Sequence, residues 1–126
     1  MSDQYSDITR DHFEHPRNVG EIEGADVVGR SENAASGASL VLYVCLSDRI
    51  VDRVSFKAHG CTATIAAGSV STELLLGREL SVDAVSREEL ASALGGLPPT
   101  RKHAYRLVTD AVAAAARRLD AIRAGV

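Results

Sequence analysis

Tryptophan is missing from these 126 residues, cysteine occurs twice, proline three times, and aromatic side chains make up only 4%. Two cysteines, Cys45 and Cys61, cannot build the disulfide framework that holds many small secreted domains together. A chain of this length can bury a core without one, so both are read as reduced thiols in a cytoplasmic protein. No apolar run approaches the roughly 18 residues that a membrane-crossing helix needs, and Met1–Arg10 has no basic start followed by an apolar stretch, so no membrane role is expected. Charge of one sign is lacking too. With 14 basic and 17 acidic side chains the net charge is −3, which is no electrostatic footprint for nucleic acid.

What is present is the composition of one soluble domain, 45% hydrophobic and 25% charged, read as a single unit over residues 1–126. From Tyr5 to Glu14, the spacing of Tyr5, Ile8 and Phe13 predicts a short helix with those residues on its buried side, stopped by Pro16. Arg17 to Ala38 is glycine-rich and reads as loop, with an edge strand over Asp26–Arg30. Leu40–Leu46 and Ile50–Ala58 are two strands of a hairpin, and Val54, Phe56 and Ala58 share one face. Small residues from Thr62 to Leu76 suit a helix lying close on a sheet, ended by Gly77. Ser86-Arg-Glu-Glu89 is a capping box opening a helix that stops at Gly95-Gly96. Leu97-Pro-Pro99 breaks the chain. A long amphipathic helix follows, with Ala104, Leu107, Val108, Ala111, Val112, Ala115, Leu119 and Ile122 along one stripe. The element order predicts an α+β two-layer domain, with a small antiparallel sheet of about three strands packed against helices and a long C-terminal helix.

Three segments, His15-Pro-Arg-Asn-Val-Gly20, Phe56-Lys-Ala-His-Gly-Cys61, and Leu97-Pro-Pro99 followed by His103, occur in an order and spacing that resemble the U-type iron–sulfur cluster scaffold family, the IscU, SufU and NifU N-terminal group. The likeness runs from about Tyr5 to about Leu119. It implies a role in cluster assembly, in which three cysteines and an aspartate hold the cluster with a histidine nearby. It also implies work with a cysteine desulfurase or other iron–sulfur assembly proteins, in a chain that could pair as a homodimer. At the matching positions this chain carries Ser36 for the first cysteine, Ala38 for the aspartate and Ala104 for the last cysteine. Cys61 and His103 remain.

Clusters are held by soft thiolates, about four each, and neither alanine nor a neutral hydroxyl replaces one well. An iron–sulfur cluster or a zinc ion therefore has few donors here. Cys45 stands seven residues past Ala38 along a strand, roughly 23 Å away at ~3.3 Å per residue, and reads as a small packed hydrophobe. Cys61 follows Gly60 at a helix start, where backbone N–H groups favour a thiolate; the alternative is an inherited buried cysteine. His59, two residues before it, could share its direction, and with His103 the three would make a nitrogen and sulfur set of the kind that zinc accepts. His103 alone is as readily a helix-entry residue. His12 and His15 read as a solvated helix end, and His15-Pro-Arg-Asn18 as architecture. The Leu97-Pro-Pro99 segment resembles the family's chaperone-binding motif with Arg101 in place of lysine.

The function expected is that of a divergent, scaffold-like protein that acts in cluster biogenesis through Cys61, by sulfur or iron acceptance or by regulation, and is not an independent scaffold. The alternative is an interaction protein that kept the fold after losing cluster and metal binding. No nucleophile–base–acid constellation, phosphate-cradling loop or resolving cysteine points to an enzyme.

Overall fold

The run of branched and apolar residues after Gly37 makes the central strand of the domain. The computed structural model describes residues 4–125. In chain order, α1 spans Asp7–Glu14, β1 Val27–Asn33, β2 Ala38–Ser47, β3 Ile50–His59, α2 Thr62–Leu75, α3 Arg87–Leu94 and α4 His103–Arg123, with a 3-10 turn at Pro99–Arg101 before the last helix. The strands form one antiparallel sheet in the order β1-β2-β3. Alternation along β2 sends Leu40, Leu42 and Val44 inward opposite Ala58, Phe56 and Val54 of β3, so one face of the sheet is apolar. Helices α2 and α4 cover that face, α2 lying on β3 and α4 on β1. This is the two-layer α+β arrangement that the element order implies.

Close approach of helix to sheet depends on two glycines. A Cβ on Gly29 of β1 would lie 2.1 Å from the Ala111 carbonyl oxygen of α4, and one on Gly68 of α2 would lie 2.5 Å from the Phe56 ring. The small-residue composition of α2 thus has a structural use: its Ala63, Ala66, Ala67 and Gly68 leave room for the large side chains of the sheet. Leu107, in the second turn of α4, accepts a hydrogen bond through its carbonyl from the Ser31 hydroxyl at 2.6 Å, which fixes α4 along β1.

Local signals in the sequence recur in the structure. Ser86 and Glu89 close the capping box of α3, and Gly95 ends it in the left-handed conformation, φ 70°. Three expectations need correction. In α1 the buried side chains are Thr9 and His12, whereas Ile8 and Phe13 are 49% and 40% exposed. Thr9 donates to the Leu94 carbonyl at 2.7 Å and His12 bonds Ser69, so polar groups with partners take the inward face. Ile122, placed in the buried stripe of α4, is exposed in its last turn. The first strand runs to Asn33, three residues beyond the expected edge strand, because its whole length pairs with β2.

Candidate functional site

One end of the domain brings the β1–β2 turn with Ser36 beside the segment that leads to Cys61. Register pairs Asn33 with Ala38 and Ser39 with His59, so the β1–β2 turn and the end of β3 lie side by side there. Chain reversal through Gly37, φ 76°, is closed by Gly37 N–H donating to the Asn33 carbonyl at 2.8 Å. Gly60, φ 153°, then leads into α2 with Cys61 as its N-cap. A Cβ on Gly60 would stand 2.7 Å from Thr64 Oγ1 and 3.1 Å from the Ala38 Cβ, so this turn is tight enough to require glycine.

At the three positions where the resemblance implies ligands, the residues present do other work. The Ser36 oxygen accepts from the Ala38 N–H at 3.2 Å, and the Ser36 N–H donates to Asn33 Oδ1 at 3.1 Å, so the hydroxyl serves its own turn. Ala38 is 2% exposed and Ala104 fully buried, and both belong to the apolar interior. The Ala38 and Ala104 places are occupied by packing atoms, and Ser36 is exposed.

Cys61 is half-buried and packs against the core. Its carbonyl accepts the first helical bonds, from Thr64 N–H at 3.0 Å and Ile65 N–H at 3.2 Å. Burial is the strongest single influence on the thiol and pushes its pKa up, yet the net direction is down. The Thr64 backbone N–H and hydroxyl, the Ala63 N–H and the charge of Arg101 together favour the thiolate. Arg101 is a contribution that the sequence did not reveal, because the loop between α3 and α4 brings it in from far along the chain. Thr64 was equally unmarked, although its position three residues after an N-cap is where a side chain reaches back.

His103 opens α4, half-buried, and lines a hollow with Glu32, Asn33, Ala34 and Arg106. His59 is exposed at the end of β3, whereas Cys61 is half-buried at the start of α2. Among the described residues, no group of three His, Cys, Asp or Glu side chains stands close enough to share a metal ion. The three-ligand set of His59, Cys61 and His103 is therefore not assembled in this structure. Cys45 is half-buried on β2, opposite Arg53 and away from this end of the sheet.

The Pro16 to Gly20 segment acts as architecture. Arg17 N–H donates to Ser69 Oγ at 2.9 Å, Asn18 Nδ2 donates to Thr72 Oγ1 at 3.0 Å, and Val19 bridges to Phe56. His12, expected in solvent, is buried between α1 and α2, while His15 remains exposed beside Asp11. No helix among the described residues is long and apolar enough to cross a membrane.

Comparison with known proteins gives a consistent picture. The family described as NifU-like N terminal domain matches residues 4–124. The iron-sulfur cluster assembly scaffold protein IscU 1 of Archaeoglobus fulgidus is 39% identical over 109 residues, which cover 86% of this chain and 71% of that protein. The IscU scaffold protein of Azotobacter vinelandii is 35% identical over 118 residues, covering 90% and 91%. A NifU-like N-terminal protein structure from Brucella abortus superposes with a TM-score of 0.74 at 17% identity, over 92% of this chain and 94% of that one. At that identity the superposition speaks for the fold. By the extent of the family match and the likeness to these relatives, the chain belongs to the NifU-like N-terminal domain family.

Proposed function

We propose that this protein is a scaffold-like component of iron–sulfur cluster assembly that works through Cys61 as an acceptor of sulfur, and that it does not build a cluster as an independent scaffold. The observation that carries this reading is the contrast within one site. Cys61 is held at a helix N-terminus among groups that favour its thiolate, while Ser36, Ala38 and Ala104 stand at the positions where the resemblance implies the other ligands. The relatives named as scaffold proteins supply the context.

The chemistry that a lone thiolate can do is exchange at sulfur. Cys61 loses its proton to solvent and attacks the outer sulfur of a protein cysteine persulfide, of the kind a cysteine desulfurase carries. A sulfur–sulfur bond forms at Cys61, the donor's sulfur–sulfur bond breaks, and the donor cysteine leaves as a thiolate. Electrons balance without an added oxidant or reductant. A cluster would be cargo here, and one thiol falls well short of the roughly four thiolates that hold one, so no cluster-building step is assigned to a single copy.

The test is direct. Cys61 should react with iodoacetamide at neutral pH faster than Cys45, and should take up sulfur from a persulfidated cysteine desulfurase, as read by mass spectrometry of the intact protein. A Cys61 that takes up no sulfur defeats this reading, whether or not it alkylates quickly. The burial of Ala38 and Ala104 favours a second one, an interaction protein that retained the fold. Under it, Cys61→Ser leaves capture of an intact scaffold or another assembly protein unchanged, whereas capture that needs the thiol rules it out.

A further inference from the structure

Thr64 is 1% exposed, and its Oγ1 lies 3.8 Å from Cys61 Sγ. The other hydroxyl residues deep in α2 behave differently. Ser71 donates to the Gly68 carbonyl at 2.7 Å and Thr72 donates to the Ser69 carbonyl at 2.7 Å, the usual back-bonding of such residues inside a helix. Among the described residues the partner in reach of the Thr64 hydroxyl is the Cys61 sulfur. A buried hydroxyl without an acceptor costs free energy, so the sulfur and the hydroxyl satisfy each other.

The backbone builds this arrangement. Cys61 is the N-cap of α2 and Thr64 its third residue, the position from which a side chain folds back toward the cap. Gly60 provides the space: a Cβ there would stand 2.7 Å from Thr64 Oγ1 and 3.1 Å from Thr64 Cβ, and would displace the hydroxyl from its seat beside the sulfur.

We propose that Thr64 is a positioning residue for Cys61, its hydroxyl donating to the sulfur in the anionic form and so holding that sulfur ready to attack. This rests on the sulfur-acceptor reading given above and adds a second residue to it. In the thiol form either group can donate. In the thiolate form only the hydroxyl can, so the contact strengthens when the proton leaves. The consequence is a higher proportion of attacking anion at neutral pH, with the sulfur held in one orientation.

The experiment compares wild type, Thr64→Val, Thr64→Ala and Thr64→Ser. For each, the rate of Cys61 alkylation by iodoacetamide is followed from acid to alkaline pH, alongside a thermal melt, and sulfur uptake from a persulfidated cysteine desulfurase is measured separately. With the hydroxyl removed, alkylation at neutral pH should fall roughly two- to tenfold, the range of one hydrogen bond. The rates should converge in alkali, where every thiol is ionised, and Thr64→Ser should recover the wild-type profile. Thr64→Ala serves if Thr64→Val does not fold. A folded variant without the hydroxyl whose pH profile superimposes on that of wild type overturns the part given to Thr64. A wild type that alkylates quickly but takes up no sulfur overturns the acceptor reading itself, and with it this use of Thr64.

Discussion

His12 Nδ1 and Ser69 Oγ meet at 2.7 Å in the buried seam between α1 and α2. Ser69 Oγ also accepts the Arg17 N–H. The other ring nitrogen, Nε2, faces Glu73 Oε1 at 3.5 Å. Burial, first, and the Arg17 charge, second, hold the His12 pKa below its ordinary value, against the opposing pull of Glu73 and Asp11.

A pH dependence of stability follows. The folded protein refuses a proton that the unfolded chain takes up below about 6.5, so the contribution of His12 is complete above that value and is lost as pH falls through the lowered folded value. Urea midpoints should drop between about pH 7.5 and about pH 5.5, and His12→Gln should reduce that drop. An unchanged difference in the variant assigns the effect to other groups. At neutral pH His12→Ala should cost about 1–3 kcal/mol, for the bond and the partners left behind.

This seam also shows where reading the sequence stopped. The hydrophobic spacing of α1 pointed to Ile8 and Phe13, but burial follows Thr9 and His12, whose partners Leu94 and Ser69 are distant in the chain. Periodicity registers apolar residues only, and a buried polar residue with a remote partner looks like a solvated one. The strands, the capping box at Ser86 and the length of α4 were legible because each is a local pattern. Of the candidate site, Cys61 at the opening of α2 could be read directly. The exposure of His59 and the approach of Arg101 depended on the packing of distant elements and the path of a loop.

Substitution at Gly29 tests the contact between α4 and the sheet. The atoms in the way are the Ala111 carbonyl oxygen at 2.1 Å and the Ala115 nitrogen at 2.8 Å, both backbone atoms of a packed helix that cannot step aside cheaply. Gly29→Ala should cost about 1–3 kcal/mol or more, seen as a lower urea midpoint. A variant as stable as the parent contradicts the close packing.

Restoring the ligand set gives a gain-of-function measurement. In Ser36→Cys/Ala38→Asp/Ala104→Cys, anaerobic addition of iron and sulfide should produce visible absorption and retained iron beyond what wild type shows. Ala38→Asp alone should destabilise by a few kcal/mol, because a carboxylate would enter a position that is now apolar interior. Equal iron retention by wild type and the triple variant defeats the view that these three residues limit cluster holding.

Arg101 acts on Cys61 through charge, and charge is screened by salt. Arg101→Gln should slow alkylation of Cys61 about two- to threefold at low ionic strength, and the difference should narrow as salt is raised. A salt-independent deficit would instead mark a change in the loop.

The outer edge of β3 is not left bare. Near its start, Val51 N–H donates to the Arg78 carbonyl, Gly77 N–H to the Val51 carbonyl and Leu80 N–H to the Arg49 carbonyl; further along, Phe56 N–H donates to Asn18 and Gly20 N–H to Phe56. Two irregular pieces of chain thus stand in for a fourth strand. A foreign strand seeking to extend the sheet on this flank finds its hydrogen-bonding groups already spoken for at both places, which protects the domain from aggregation by strand addition there and leaves the opposite flank, along β1, as the side where such addition has to be resisted by other means.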